Sequence, residues 1–273
     1  MSIATQIKRL FNFRQGRVSI AREIRQQARL RRNLERSVLR KLTSLFRKAI
    51  RTRAFIYTET SFFDATITAN AINEELLPVM LQHYKRVFDA IYQYNENKYK
   101  RLIKQEALVF DRNVDLDLII NEYFNERELF LVNVSQRIAN RIDKVIKDGQ
   151  ADGLTLREIA RNIETQIISI SRSRAQLIAR TETHNAASYA NHNYHQRVKD
   201  DYGIPMVKQW VATNDLRTRS IHADANGQKV PMDEDFTVGG VPMSFAGDSR
   251  GGAKNVINCR CVILYADEND IVQ

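Results

Sequence analysis

The sequence predicts an α+β protein: mainly long α-helices, with a small C-terminal α+β module containing a short antiparallel sheet. Only four Pro and ten Gly occur in 273 residues, and Gly crowds the last third at Gly203, Gly227, Gly239, Gly240, Gly247, Gly251 and Gly252. Long uninterrupted helices with few turns are therefore expected first, and a loop-rich region last. Apolar residues recur three or four apart over the first two thirds, the spacing that lines one helix face, and beyond Pro205 the period switches to two, as in strands. A composition of 43% hydrophobic and 27% charged residues is ordinary for a globular chain.

Taken in order, Ile24, Ala28, Leu34, Val38, Leu42, Leu45 and Ala49 mark an amphipathic helix from Val18 to about Arg53, with arginines on its other faces. At about 1.5 Å per residue such a helix reaches roughly 50 Å, enough to project as an arm. A second helix is expected from Asn73 to about Lys104, with Pro78 in its first turns, where a missing N–H costs nothing. Tyr84, Tyr92, Tyr94 and Tyr99 read as packing and rim residues on it. Residues 111–117 read as a connector and Leu118–Lys147 as a third helix, stopped by the turn residues of 148–153. Thr155 and Glu158 form a capping box for a helix from Leu156 to about Ser169, and after Ser171 another runs to about Lys199. Met206–Ala212 and Cys261–Tyr265 read as strands. Between them lie a short helix after Asp215, an Asn226-Gly227 turn with hairpin chemistry and a Gly-rich loop from Gly239 to Gly252.

Charge is distributed unevenly. Residues 1–53 hold sixteen Lys and Arg against Glu23 and Glu35, whereas the remainder is slightly acidic. Such asymmetry points to a polyanionic partner for the arm, and Arg22, Arg25, Arg29, Arg31, Arg32, Arg36, Arg40 and Lys41 are the candidate nucleic-acid contacts. A solvated basic face on an ordinary packing helix is one alternative, and docking on a partner helix or a membrane surface is another. Arg9, Arg14 and Arg17 interrupt any stretch resembling a signal peptide, and no apolar run reaches the roughly 18 residues of a membrane span.

The scarce residue types gather between Trp210 and Cys261. Asp215 is placed to cap a helix starting at Leu216, with Arg217 and Arg219 pairing to it or to Asp233 and Asp235. Cys259 and Cys261 sit two apart, so on an extended chain both thiols face one side. With His222 and a fourth ligand, Asp224, His184 or water, they form a candidate tetrahedral zinc site. Two inert buried thiols are the other reading, and no further cofactor is expected. His184, His192 and His195 share one helix with Glu182 and read as surface or capping residues rather than a ligand row. No phosphate loop, nucleophile elbow or metalloprotease motif occurs.

The ordered run Ile178-Ala179-Arg180-Thr181-Glu182, Lys208-Gln209-Trp210, Asp215-Leu216-Arg217-Thr218-Arg219-Ser220-Ile221-His222, Asn226-Gly227, Phe236 and Asn258-Cys259-Arg260-Cys261 resembles the phage Mu F-like head morphogenesis family, over about Val134 to Tyr265. The family's recurrent positions map onto Arg180, Glu182, Trp210, Asp215, Arg217, Arg219, His222, Gly227, Asn258, Cys259 and Cys261; Asn226 departs from the acid that many relatives carry. The segments are then 1–53, a basic helical arm; 54–133, a helical body; and 134–273, the Mu F-like domain. What the resemblance implies is a minor head protein in the virion, assembled in the host cytoplasm. It would sit in the head interior or at the portal vertex, influence DNA packaging or ejection, and have no enzymatic activity. Its expected partners are the portal protein, double-stranded DNA bound without sequence preference, and scaffolding or major capsid protein. The alternative is a metal-dependent, nuclease-like DNA-processing enzyme using His222 as general base.

Overall fold

The structure, a computed structural model, describes residues 17–103, 112–203, 205–213 and 215–267. Five helices come first: α1 (Arg17–Thr60), α2 (Ala65–Ile103), α3 (Arg112–Ala151), α4 (Leu156–Asn162) and α5 (Ile168–Tyr202). The C-terminal module follows, with strands β1 (Met206–Val211), β2 (Lys229–Pro231), β3 (Phe236–Val238), β4 (Val241–Met243) and β5 (Val262–Asp267) and the short helices α6 (Ser220–Asp224) and α7 (Gly252–Val256). Long helices with a small antiparallel sheet make this the expected α+β class. Among the described residues no helix is long and apolar enough to cross a membrane.

The chain divides into two compact units, each discontinuous in sequence: Met1–Leu34, Arg86–Asn113 and Arg180–Gln273 form one, Glu35–Lys85 and Val114–Ala179 the other. These do not follow the linear segments 1–53, 54–133 and 134–273, because α1, α2 and α5 each contribute to both units.

The second unit is a helical core. Val38, Leu42, Leu45, Phe46, Ile50, Ala54 and Tyr57 of α1 are buried there, so this part of the basic segment packs instead of projecting as an arm. Ile72, Leu76, Met80 and Tyr84 of α2 and Tyr123, Leu131, Ile138 and Ile142 of α3 complete the core, and Tyr84 meets Tyr123 edge-on at 5.0 Å. The second helix begins earlier than its apolar stripe indicated, because Asp64 caps it: the Ile67 N–H donates to Asp64 Oδ1 at 2.7 Å. Pro78 consequently lies in the helix interior rather than in the first turns. Residues 112–117, expected as a connector, are helical, while 104–111 lie outside the described residues. The capping box at Thr155 and Glu158 is present. No break falls near Ser169; a π turn over Ile163–Ile167 carries α4 into α5 while keeping Ile163 and Ile167 buried.

In the first unit, β1 is the centre of an antiparallel sheet ordered β2-β1-β5, with Trp210 opposite Ile263 and Lys208 opposite both Val230 and Tyr265. Burial alternates along β1, with Met206, Lys208 and Trp210 on the inner face. The Gly-rich loop is more ordered than its composition implied. β3 and β4 form a hairpin turned at Gly239-Gly240, both with positive φ, and the rest forms a 3-10 turn and α7. Gly247 is held at φ 95°, and a Cβ there would strike the Asn185 side chain and lie 3.2 Å from its Cα on α5. Gly247→Ala is therefore expected to destabilise the chain by about 1–3 kcal/mol, read as a lowered denaturant midpoint at unchanged m-value.

Candidate functional site

The site is assembled by polar clamps that tie two loops of the C-terminal module together. Asp215 does not cap a helix at Leu216; residues 215–218 form a turn in which the Arg217 N–H donates to Asp215 Oδ1 at 2.9 Å. Its carboxylate then receives a fork from Arg260, Nη1 to Oδ2 at 2.5 Å and Nη2 to Oδ1 at 2.8 Å. That fork holds the Asp215 carboxyl well below the usual carboxylate range. Thr213 Oγ1 donates to the Arg260 carbonyl at 3.1 Å, Thr218 Oγ1 donates to the Thr213 carbonyl, and Arg219 Nη2 reaches the Ile257 carbonyl at 2.5 Å. Of the expected pairings, Arg217 meets Asp215, Nη2 to Oδ2 at 3.5 Å, whereas Asp233 and Asp235 are taken by Lys199 and Arg250.

On the far side, Asn258 adopts a positive φ of 56°, which Asn tolerates better than most residues, and its N–H donates to Thr181 Oγ1 on α5 at 3.2 Å. Residues 259–261 then run with alternating direction: Arg260 reaches out to Asp215, and Cys259 and Cys261 turn inward. Arg219 precedes α6, so fastening Arg219 to Ile257 carries His222 against the two sulfurs. His222 Nδ1 lies 3.3 Å from Cys261 Sγ and 3.7 Å from Cys259 Sγ. All three residues are buried, and their ligand atoms lie within 4.8 Å of one another. Trp210 roofs this cluster, edge-on to His222 at 5.8 Å and to Phe236 at 5.5 Å. The Gly227 N–H donates to the Trp210 carbonyl at 2.8 Å, and Asn226 Oδ1 accepts from the Ala212 N–H at 2.9 Å. Asn226 thus serves the turn, and Asp224 is exposed.

His184 and Arg31 join the cluster from elsewhere in the chain. His184 on α5 is buried with its imidazole against Cys259, and Arg31 Nη1 lies 2.7 Å from its Nδ1. Burial holds His184 below its ordinary value. Within the cysteine pair, the hydrogen bond with the Cys261 thiol holds Cys259 well below the usual thiol range, with His184 and His222 adding to the effect. The same bond pushes Cys261 up.

Histidines read from sequence as surface or capping groups are instead packed: His184 and His195 are buried, and His195 stacks on Tyr265 at 4.1 Å. A His222 only 2% exposed has no access to solvent-borne DNA, which argues against a nuclease base there. Glu182 and Thr181 are likewise buried on α5.

The basic residues divide differently from their sequence grouping. Arg22, Arg25, Arg29 and Arg32 are exposed at helical spacing in the first unit, and Arg36 and Arg40 are exposed in the second. Arg31 is the exception, turned in to His184, and Lys41 donates to Gln82 Oε1 at 2.6 Å. Arg47 and Arg51, inside the basic segment but not among the named candidates, continue the same exposed face two and three turns beyond Arg40, and sequence reasoning missed Arg172 of α5. Arg40, Arg47 and Arg172 line a groove of about 510 Å³ in the second unit together with Thr43, Ser44 and Gln176. Continuing the spacing past Lys41 would have found Arg47 and Arg51; no local signal pointed to Arg172.

Residues 140–264, which hold the clamps and the buried cluster, match the family described as Phage Mu protein F like protein. Over this stretch, a little under half of the chain, the protein is similar to the phage Mu F-like family. Among curated relatives, the NAD(+)--arginine ADP-ribosyltransferase EFV of Enterococcus faecalis is 34% identical over 140 residues, 49% of this chain and 27% of that protein. Minor head protein GP7 of Bacillus phage SPP1 is 30% identical over 139 residues, 49% of this chain and 42% of that protein. The chain thus spans less than half the length of either relative. No solved structure matches it.

Proposed function

We propose that this protein is a minor structural component of a tailed-phage head, positioned in the head interior or at the portal vertex, that contacts packaged DNA and assists head assembly, packaging or ejection. The family match and the likeness to a minor head protein support the virion role. The single observation that carries the DNA contact is the exposed arginine row of α1, Arg22, Arg25, Arg29 and Arg32, continued by Arg36, Arg40, Arg47 and Arg51. Guanidinium groups three and four residues apart along a helix meet successive phosphates without reading bases, so binding is non-specific and governed by counterion release. Exposed Phe55, Phe62 and Ile67 around the turn from α1 to α2 offer apolar surface to a protein partner, with portal, scaffolding or major capsid protein as the candidates. A structural rather than catalytic role is supported by the burial of Trp210, His222, Cys259 and Cys261 and by the tying of Asp215 and Arg219 into clamps.

Replacing Arg22, Arg25, Arg29 and Arg32 together by Gln is expected to lower the slope of log affinity against log salt by about 3–4 on duplex DNA, at roughly 0.9 for each phosphate no longer neutralised. Arginines packed on acidic portal surface would give the opposite pattern. An unchanged slope together with failure to be captured by purified portal protein overturns the DNA assignment.

A further inference from the structure

We propose that Cys259, Cys261, His222 and His184 form a structural zinc site of two thiolates and two imidazoles. A zinc ion with Zn–S near 2.3 Å and Zn–N near 2.0–2.1 Å in a tetrahedron places its N and S ligand atoms about 3.6 Å apart. The two distances from His222 Nδ1 to sulfur, 3.3 and 3.7 Å, bracket that value. Three of the four ligands are already gathered. The Arg219–Ile257 and Asp215–Arg260 clamps set His222 and the two cysteines, and the Asn258–Thr181 bond ties the turn before Cys259 to the helix that carries His184.

His184 lies outside the group whose ligand atoms are already within 4.8 Å of one another, and it supplies the fourth donor by closing on the ion. Its Nε2 is buried and has no hydrogen-bond partner, an arrangement that leaves a polar atom unsatisfied unless a ligand takes it. Two sulfurs and two imidazoles are the donor set that zinc prefers over calcium or magnesium, which take oxygen. On binding, the ion replaces the thiol protons, which pass to solvent, and both imidazoles ligate as neutral rings. Coordination through His184 Nε2 leaves that ring's proton on Nδ1, so the Arg31 guanidinium, now 2.7 Å from Nδ1, gives up that bond.

The test uses the full chain purified under reducing conditions. About one zinc per chain by elemental analysis after dialysis is expected, and exchange for cobalt(II) should give a thiolate-to-cobalt charge-transfer band with tetrahedral d–d bands. These readouts need no variant, so a folding defect cannot obscure them. His184→Ala should keep the charge-transfer band but shift the d–d bands and lose cobalt to a chelator at least about tenfold faster. Absence of stoichiometric zinc together with no cobalt–thiolate band on reconstitution overturns the site, as does a Cys259–Cys261 disulfide in the reduced preparation. Unaltered d–d bands in His184→Ala overturn the assignment of the fourth ligand.

Discussion

Replacing Trp210 with Ala is expected to cost about 3–5 kcal/mol, the range for truncating a fully buried tryptophan. Trp210 is fully buried at the centre of the sheet, edge-on to His222 and Phe236, with its backbone bonded to Gln228 and Gly227. The alanine would leave a cavity beside the cysteine pair that the clamped loops cannot collapse to fill. Guanidinium titration of wild type and variant gives the difference directly, and Trp210→Phe should recover about half of it. A loss below about 1 kcal/mol would mean that the clamps, rather than this side chain, hold the module's core.

Stability is expected to fall steeply in acid because two imidazoles are folded in as neutral groups. Burial, followed by the nearby Lys208 charge, holds His192 down at about 3; burial, followed by Lys98, does the same for His195. In the unfolded chain each takes up a proton below its ordinary value of 6.5. Between 6.5 and about 3 the unfolded state therefore binds more protons, so the stabilisation is complete above 6.5 and is lost as pH falls. The slope is about 1.4 kcal/mol per pH unit for each histidine. His195 is the cleaner probe: it is 2% exposed, stacks on Tyr265, and meets the Asn191 carbonyl through Nδ1 at 2.7 Å. His195→Phe keeps an aromatic ring there and removes the titration. Denaturation followed between pH 4 and 6.5 should show its acid limb flattened by about one proton; an unchanged limb would assign the acid sensitivity elsewhere. Deleting residues 1–53 is a poor probe of DNA binding by comparison, because it strips Val38, Leu42, Phe46 and Ile50 from a core.

Features written in neighbouring residues were legible in the sequence. The capping box at Thr155 and Glu158 needs only four positions, and the strand reading of 206–212 needs only a period of two. The ordered motifs from Ile178 to Cys261 were sufficient to indicate the family. Errors arose where a local signal competed with tertiary support. Pro78 looked like a helix start, but Asp64 caps the helix earlier, and burial of Ala69 and Ile72 sustains the added turns. Asp215 had the sequence of a helix cap, yet the Arg260 fork recruited it to a clamp.

Sequence by itself determined the helical content, the strand period, the family likeness and the charged row along α1, because each is a spacing between residues close in the chain. Only the tertiary structure decided that Arg31 leaves that row for His184, and that His184 meets Cys259 while Asp224 stays in solvent. Those groups come from residues 31, 184, 222 and 259–261, and they converge only after α1, α5, α6 and the segment leading into β5 have packed. No periodicity along the chain encodes that convergence; the burial of Trp210, Phe236 and the α5 face fixes it.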